Sequence, residues 1–139
     1  MESNNRILDT IHLPNGLTVY FEDRSRRIAG DRRQVQLVVR VPIEVRAEYF
    51  GSGAEAEEAL CEFTALTSGA PVEFRVEKVR NFIDRLEADK VLDQLKEDFI
   101  RSGLGYLKSP KFAANYIRKK YGELQREHAL RRAQLSSLR

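Results

Sequence analysis

The sequence predicts an α+β fold: a small antiparallel sheet of about four strands, in the order β-β-β-α-β-α-α, covered on one face by helices. Three observations predict it. Apolar residues recur at every second position through much of residues 7–45, the period lengthens to 3.6 beyond residue 80, and one more alternating stretch, residues 72–77, lies between two helical patterns.

Ile11 and Leu13 alternate with Thr10 and His12, and Leu17, Val19 and Phe21 alternate with Thr18, Tyr20 and Glu22. Between them Pro14-Asn15-Gly16 supplies a turn in which the glycine can take positive φ, so the segment reads as a β-hairpin. Residues 24–33 read as a polar loop. Val35, Leu37, Val39, Val41, Ile43 and Val45 then mark a long strand with one side toward a core. Its other side carries Gln34, Gln36, Val38, Arg40, Pro42 and Glu44, which suits solvent, and Pro42 has no amide to give to a ladder, so that end belongs at an edge or a bulge.

After the Gly51-Ser52-Gly53 connector, Ala56, Ala59, Leu60, Phe63 and Leu66 follow helical spacing until Ser68-Gly69. Val72, Phe74 and Val76 form a further strand. Asp84 with Glu87 opens a second helix whose stripe of Ala88, Val91, Leu92, Leu95 and Phe99 stops near Ser102-Gly103. Ser109-Pro110 opens a third, with Phe112, Ala113, Tyr116, Ile117, Tyr121 and Leu124 on its apolar side. Beyond Leu124 only Leu130, Leu135 and Leu138 interrupt basic and polar residues. The expected organisation is one α+β domain over residues 1–125, followed by a basic helical extension or frayed tail over 126–139.

The chain has 139 residues, 42% of them hydrophobic and 32% charged, which suits one folded core. No apolar run approaches the roughly 18 residues that span a bilayer. The opening MESNNRILD lacks the features of a signal peptide, so a cytoplasmic protein without membrane contact is expected. Cys61 is the one cysteine, which excludes an internal disulfide or a cysteine-built zinc site as the source of stability. The net charge of +3 is unevenly spread, because residues from 110 on hold eight basic and two acidic side chains.

Two basic groups are candidate binding sites. Arg24, Arg26, Arg27, Arg32 and Arg33 crowd the polar loop, and guanidinium forks match phosphate and carboxylate oxygens in pairs, so these five are candidate anion-binding residues; the alternative is a solvated loop, since Asp23 and Asp31 offset part of the charge. Arg118, Lys119, Lys120, Arg126, Arg131 and Arg132, with Lys111 and Arg139, are candidates for contact with a partner or nucleic acid, although residues 118–120 spread around a helix and make a diffuse field. Tyr116 and Tyr121 fall at packing positions, and no nucleic-acid-binding motif is present.

His12 and His128 have no partners at metal-ligand or catalytic spacing, and Cys61, between Leu60 and Phe63, reads as a small buried hydrophobe among Glu57, Glu58 and Glu62. No catalytic constellation, metal site or cofactor motif is therefore expected. The function expected is that of a non-enzymatic protein-interaction or regulatory domain, with self-association through Leu124, Leu130, Leu135 and Leu138 as one form of it. The alternative is binding of nucleic acid or an anionic ligand such as a nucleotide through the arginine loop and the basic helix.

Overall fold

Period-two patterning of residues 6–43 builds two antiparallel hairpins, and a later strand adds to them. The structure is a computed structural model that describes residues 5–138. In chain order its elements are β1 (Arg6–His12), β2 (Thr18–Asp23), β3 (Arg26–Ala29), β4 (Arg32–Ile43), a 3-10 turn (Ala47–Phe50), α1 (Gly53–Thr67), β5 (Val72–Asp84), α2 (Ala88–Leu107) and α3 (Phe112–Ser137). The protein is thus α+β with an antiparallel sheet of five strands and three helices, one strand more than the sequence predicts. Residues up to Pro42 with Glu73–Ser109 form one compact unit, and Ile43–Val72 with the residues from Pro110 on form a second.

The first unit carries the sheet, ordered β1-β2-β4-β3 with β5 also paired to β4. The turn joining β1 to β2 closes as expected: Leu13 O accepts from Gly16 N at 3.0 Å, Leu13 N donates to Leu17 O at 2.8 Å, and Gly16 takes φ 89°. The polar loop expected over residues 24–33 is instead mostly strand. Tyr20 stands opposite Arg40, Asp23 opposite Leu37 and Arg26 opposite Gln34 in one unbroken register, so β2 and β3 are two stretches of a single strand running beside β4. They part only at Arg24 and Ser25, where the Ser25 hydroxyl accepts the Gln36 amide at 3.0 Å in place of a backbone carbonyl. Charge hid these strands, because arginine alternation looks nothing like apolar alternation.

One face of the sheet meets α2. Val19 and Phe21 of β2 and Val35, Leu37 and Val39 of β4 are fully buried, Leu92, Leu95 and Phe99 of the helix are buried with them, and the Phe21 and Phe99 rings meet edge to face at 6.0 Å. Asn15 in the first turn pins the far end of the helix by donating to the Leu107 and Ser109 carbonyls at 2.8 and 2.9 Å. Helix α2 does not stop at Ser102-Gly103 but runs on to Leu107. Gly103 belongs inside it for a packing reason: a Cβ there would lie 2.9 Å from two carbons of the Phe99 ring.

The other face, expected to be solvated, is roofed by charge. Val38 is fully buried and Glu22 is 7% exposed. Glu22 is bonded by Arg24 at 2.8 Å and by Arg40, Arg40 reaches Glu73 at 3.1 Å, and Arg75 lies 3.6 Å from both Glu73 and Glu77. Burial pushes the Glu22 carboxyl up, but the hydrogen bonds and charges of Arg24 and Arg40 outweigh it and hold its pKa below the ordinary 4.5. Strand β5 continues eight residues past the expected Val76, to Asp84, and near its end Phe82 adopts φ 57° with its side chain 69% exposed.

The second unit packs the 3-10 turn with α1 and α3. Phe50, Phe63 and Tyr121 form an aromatic triangle with centroids 5.2 to 6.2 Å apart. The Tyr121 hydroxyl donates to Glu62, which pushes its pKa up to about 12. The third helix begins at Phe112, after the expected Ser109-Pro110 start, and continues to Ser137. Cys61 is exposed, not buried: α1 buries Ala56 and Phe63, seven residues apart on one stripe, and Cys61 falls off that stripe. No helix of the described residues is long and apolar enough to cross a membrane.

Candidate anion-binding site

The helix-facing side of β4 runs Val39, Leu37, Val35 and then Arg33, and that of the adjoining strand runs Phe21, Asp23, Ser25 and then Arg27. Apolar alternation therefore ends in arginine on both strands, just where α2 begins. Arg27 and Arg33 are direct cross-strand partners. Two like charges directly opposite on one face are destabilising, by about 0.2–1 kcal/mol when the pair is compared with small neutral residues. Neither side chain forms a hydrogen bond or ion pair with any described residue.

The two line a cleft of about 620 Å³. Arg6 and Arg26 also line it, Ile28 and Leu92 give it an apolar wall, and Ala88 and Asp89 bring the first turn of α2 to its rim. The amides of a first helical turn have no intrahelical acceptor and carry the positive end of the helix dipole, and no side chain caps this one. Asp23 is the buried acid of the cleft, and it is occupied: Arg6 Nε lies 3.2 Å from one carboxylate oxygen and Ser25 N donates to the other at 2.9 Å. Arg26 donates to Gln34 at 3.0 Å, which leaves its terminal nitrogens available.

The structure separates the five loop arginines that the sequence groups. Arg26, Arg27 and Arg33 share the cleft. Arg24 turns to the opposite face and binds Glu22, and Arg32 lies 3.9 Å from Asp31 and 3.7 Å from Asp84. Arg6 of β1 is the residue that sequence reasoning missed. Its signal was the acid it meets, since β1 and β2 pair with Arg6 opposite Asp23, but that register depends on a bulge between Ile7 and Asp9 that no residue type announces.

The second basic group belongs to α3 of the second unit. Arg118, Lys119, Arg126, Arg131 and Arg132 are exposed there, Lys120 is half-buried, and Arg118 donates to Asn115 at 2.8 Å. Arg139 lies outside the described residues. His12 is exposed beside Thr18 at 3.1 Å, and His128 is exposed on α3. Among the described residues no three His, Cys, Asp or Glu side chains converge on a point where a metal ion would sit. No protein-family model matches the chain, and no curated protein or solved structure shows significant similarity to it.

Proposed function

We propose that the protein is a ligand-binding module whose arginine cleft takes a small phosphate-bearing anion. One observation carries the reading: Arg27 and Arg33 face each other across β3 and β4 with no counter-charge, at the mouth of a cleft they share with Arg6 and Arg26. A phosphate group between them turns a repulsive pair into a two-sided clamp, and each charge-assisted hydrogen bond it accepts is about twice as strong as a neutral one. A volume near 620 Å³ suits a small molecule, and the wall of Ile28 and Leu92 suits a ligand with an apolar part beside its charge.

Binding without turnover is the form of this reading that the neighbouring groups favour. Asp23, the buried acid in the cleft, is held by Arg6 and the Ser25 amide, so it does not stand free to move a proton. A cytoplasmic setting, in keeping with a single free cysteine, is part of the same proposal.

Inorganic pyrophosphate is the first probe, read by isothermal titration and by thermal shift of the full chain. Binding should raise the melting temperature, weaken with added salt and disappear in the Arg27→Gln/Arg33→Gln variant. An unshifted melting curve, or the same shift in that variant, would overturn the reading. So would an oligonucleotide that binds more tightly than pyrophosphate and loses its affinity on replacement of Arg126, Arg131 and Arg132, since that result would move the anion site to α3.

A further inference from the structure

Helices α1 and α3 lie side by side in the second unit, running in the same direction. Glu62 accepts from Tyr121 and from Gln125, the latter at 2.9 Å, and one turn further along Ala65 and Leu66 share a groove of about 540 Å³ with His128, Ala129 and Arg132. Helix α1 ends at Thr67, level with that groove, whereas α3 continues to Ser137. Past the end of α1, the apolar residues at the tip of α3 are Leu135 in its last turn and Leu138 at its C-cap, three residues apart. These two residues are 66% and 81% exposed. An apolar-floored groove and an apolar helix tip thus belong to the same unit, with no described residue of the chain filling the first or covering the second.

Charge selects the occupant. Helix α1 carries Glu55, Glu57, Glu58 and Glu62 and no basic residue, and Glu55, Glu58 and Glu62 share one stripe with the groove residue Ala65. From Gln125 on, α3 carries Arg126, Arg131 and Arg132 against the single acid Glu127 among the described residues. A helix tip that is leucine flanked by arginine fits the α1 side of the groove, where Ala65 and Leu66 are flanked by glutamate, while His128 and Arg132 line its α3 side, and this chain has one of each.

We propose that a second copy of the chain occupies the groove: the α3 tip of each copy, through Leu135 and Leu138, seats in the α1–α3 groove of the other, with Arg131 and Arg132 against the acidic stripe of α1. The contact is isologous, so two copies close on each other and the surface is used up in a dimer. It is independent of the arginine cleft, which lies in the first unit.

Sedimentation and size-exclusion chromatography with light scattering on the full chain test it. The expected mass is twice the 16.0 kDa of one chain, with dissociation promoted by salt. Leu135→Asp/Leu138→Asp, both at exposed positions, should give a monomer with an unchanged helical circular dichroism spectrum. Glu55→Lys/Glu58→Lys and Arg131→Glu/Arg132→Glu should each weaken the dimer, and mixing those two variants should restore it as a heterodimer. A wild-type monomer at ~0.5 mM, weaker than any functional dimer of this kind, would overturn the proposal. So would a dimer that survives the leucine substitutions, or variants that fail to rescue each other; a monomer that instead holds an unrelated protein on this groove counts against it equally.

Discussion

Replacing Arg27 by glutamate should make the protein more stable and at the same time unable to bind its anion. In the native hairpin Arg27 faces Arg33 without a counter-charge. Removing the repulsion returns about 0.5 kcal/mol, and an opposite-charge cross-strand pair adds about as much again, so Arg27→Glu should gain about 1 kcal/mol. For a chain of this size that is a rise of ~3–5 °C in melting temperature. Both contributions are electrostatic at an exposed site, so the gain should be largest in dilute buffer and nearly vanish at ~1 M salt, where the screening length falls to ~3 Å. Urea unfolding of wild type and variant at low and high salt measures the first effect, and pyrophosphate titration measures the second. The opposite signs distinguish a functional charge pair from an incidental one, because a site kept for binding is expected to cost stability. A variant that is less stable than wild type in dilute buffer, or that still binds pyrophosphate, would refute the reasoning.

Glu22→Gln should destabilise by about 2 kcal/mol at neutral pH, less than for a fully dry ion pair because Arg40 is partly solvated. The folded pKa of Glu22 is lowered, so its contribution is fully present above the unfolded value near 4.5 and is lost as pH falls through the folded one; the gap between wild type and variant should therefore be constant from about pH 6 to 8 and close below about pH 4.5, in urea melts across that range. Gly103→Ala should lower the melting temperature, because a methyl 2.9 Å from the Phe99 ring costs about 1–3 kcal/mol and outweighs the ~1 kcal/mol gain in helix propensity; adding Phe99→Leu should recover part of the overlap cost. Phe82→Gly should change stability by less than ~1 kcal/mol, since the side chain is exposed and relief of its positive φ offsets the added freedom of the unfolded chain, whereas a loss of ~3 kcal/mol or more in thermal melts would show that the ring is packed.

How much of this was legible follows from which signal each element carries. The run from Val35 to Val45 announces β4 because burial demands apolar residues at every second place, and the turn at Pro14-Asn15-Gly16 announces its own geometry. Strand β3 and the start of β4 were missed because their helix-facing positions are Arg27 and Arg33, lying past the start of α2 where no packing partner imposes an apolar residue. The same parity that places Val35 and Leu37 inward places Arg33 inward, so half of the clamp was readable by counting backwards by two. The other half was not: Arg27 is set opposite Arg33 by a tight turn at Gly30, and Arg6 is brought in by a bulged register, both of which depend on backbone geometry and not on residue type. Helix α2 overran its expected end because a glycine chosen for a close approach is indistinguishable in sequence from one chosen to stop a helix.

The two faces of the sheet show why the excess of arginine in the cleft is a signal and not a consequence of composition. On the outer face Arg24, Arg40 and Arg75 are matched by Glu22, Glu73 and Glu77, alternating along neighbouring strands, and the product is a roof over Val38. On the inner face, a few residues further along the same strands, Arg6, Arg27 and Arg33 meet one buried acid, Asp23, already bonded by Arg6 and the Ser25 amide. Guanidinium groups that serve structure arrive with their carboxylates, because an unpaired charge near a core costs free energy that packing does not return. Where one fold follows that rule on one face and departs from it on the other, the missing carboxylate marks the place of a charge that the chain does not itself supply. In the function proposed above, a phosphate between Arg27 and Arg33 supplies that charge. Bound phosphate and the Arg27→Glu substitution should therefore act on the hairpin in the same direction, since each sets a negative group against Arg33 and relieves the repulsion, and a chain that carries its own carboxylate there has no place left for the anion.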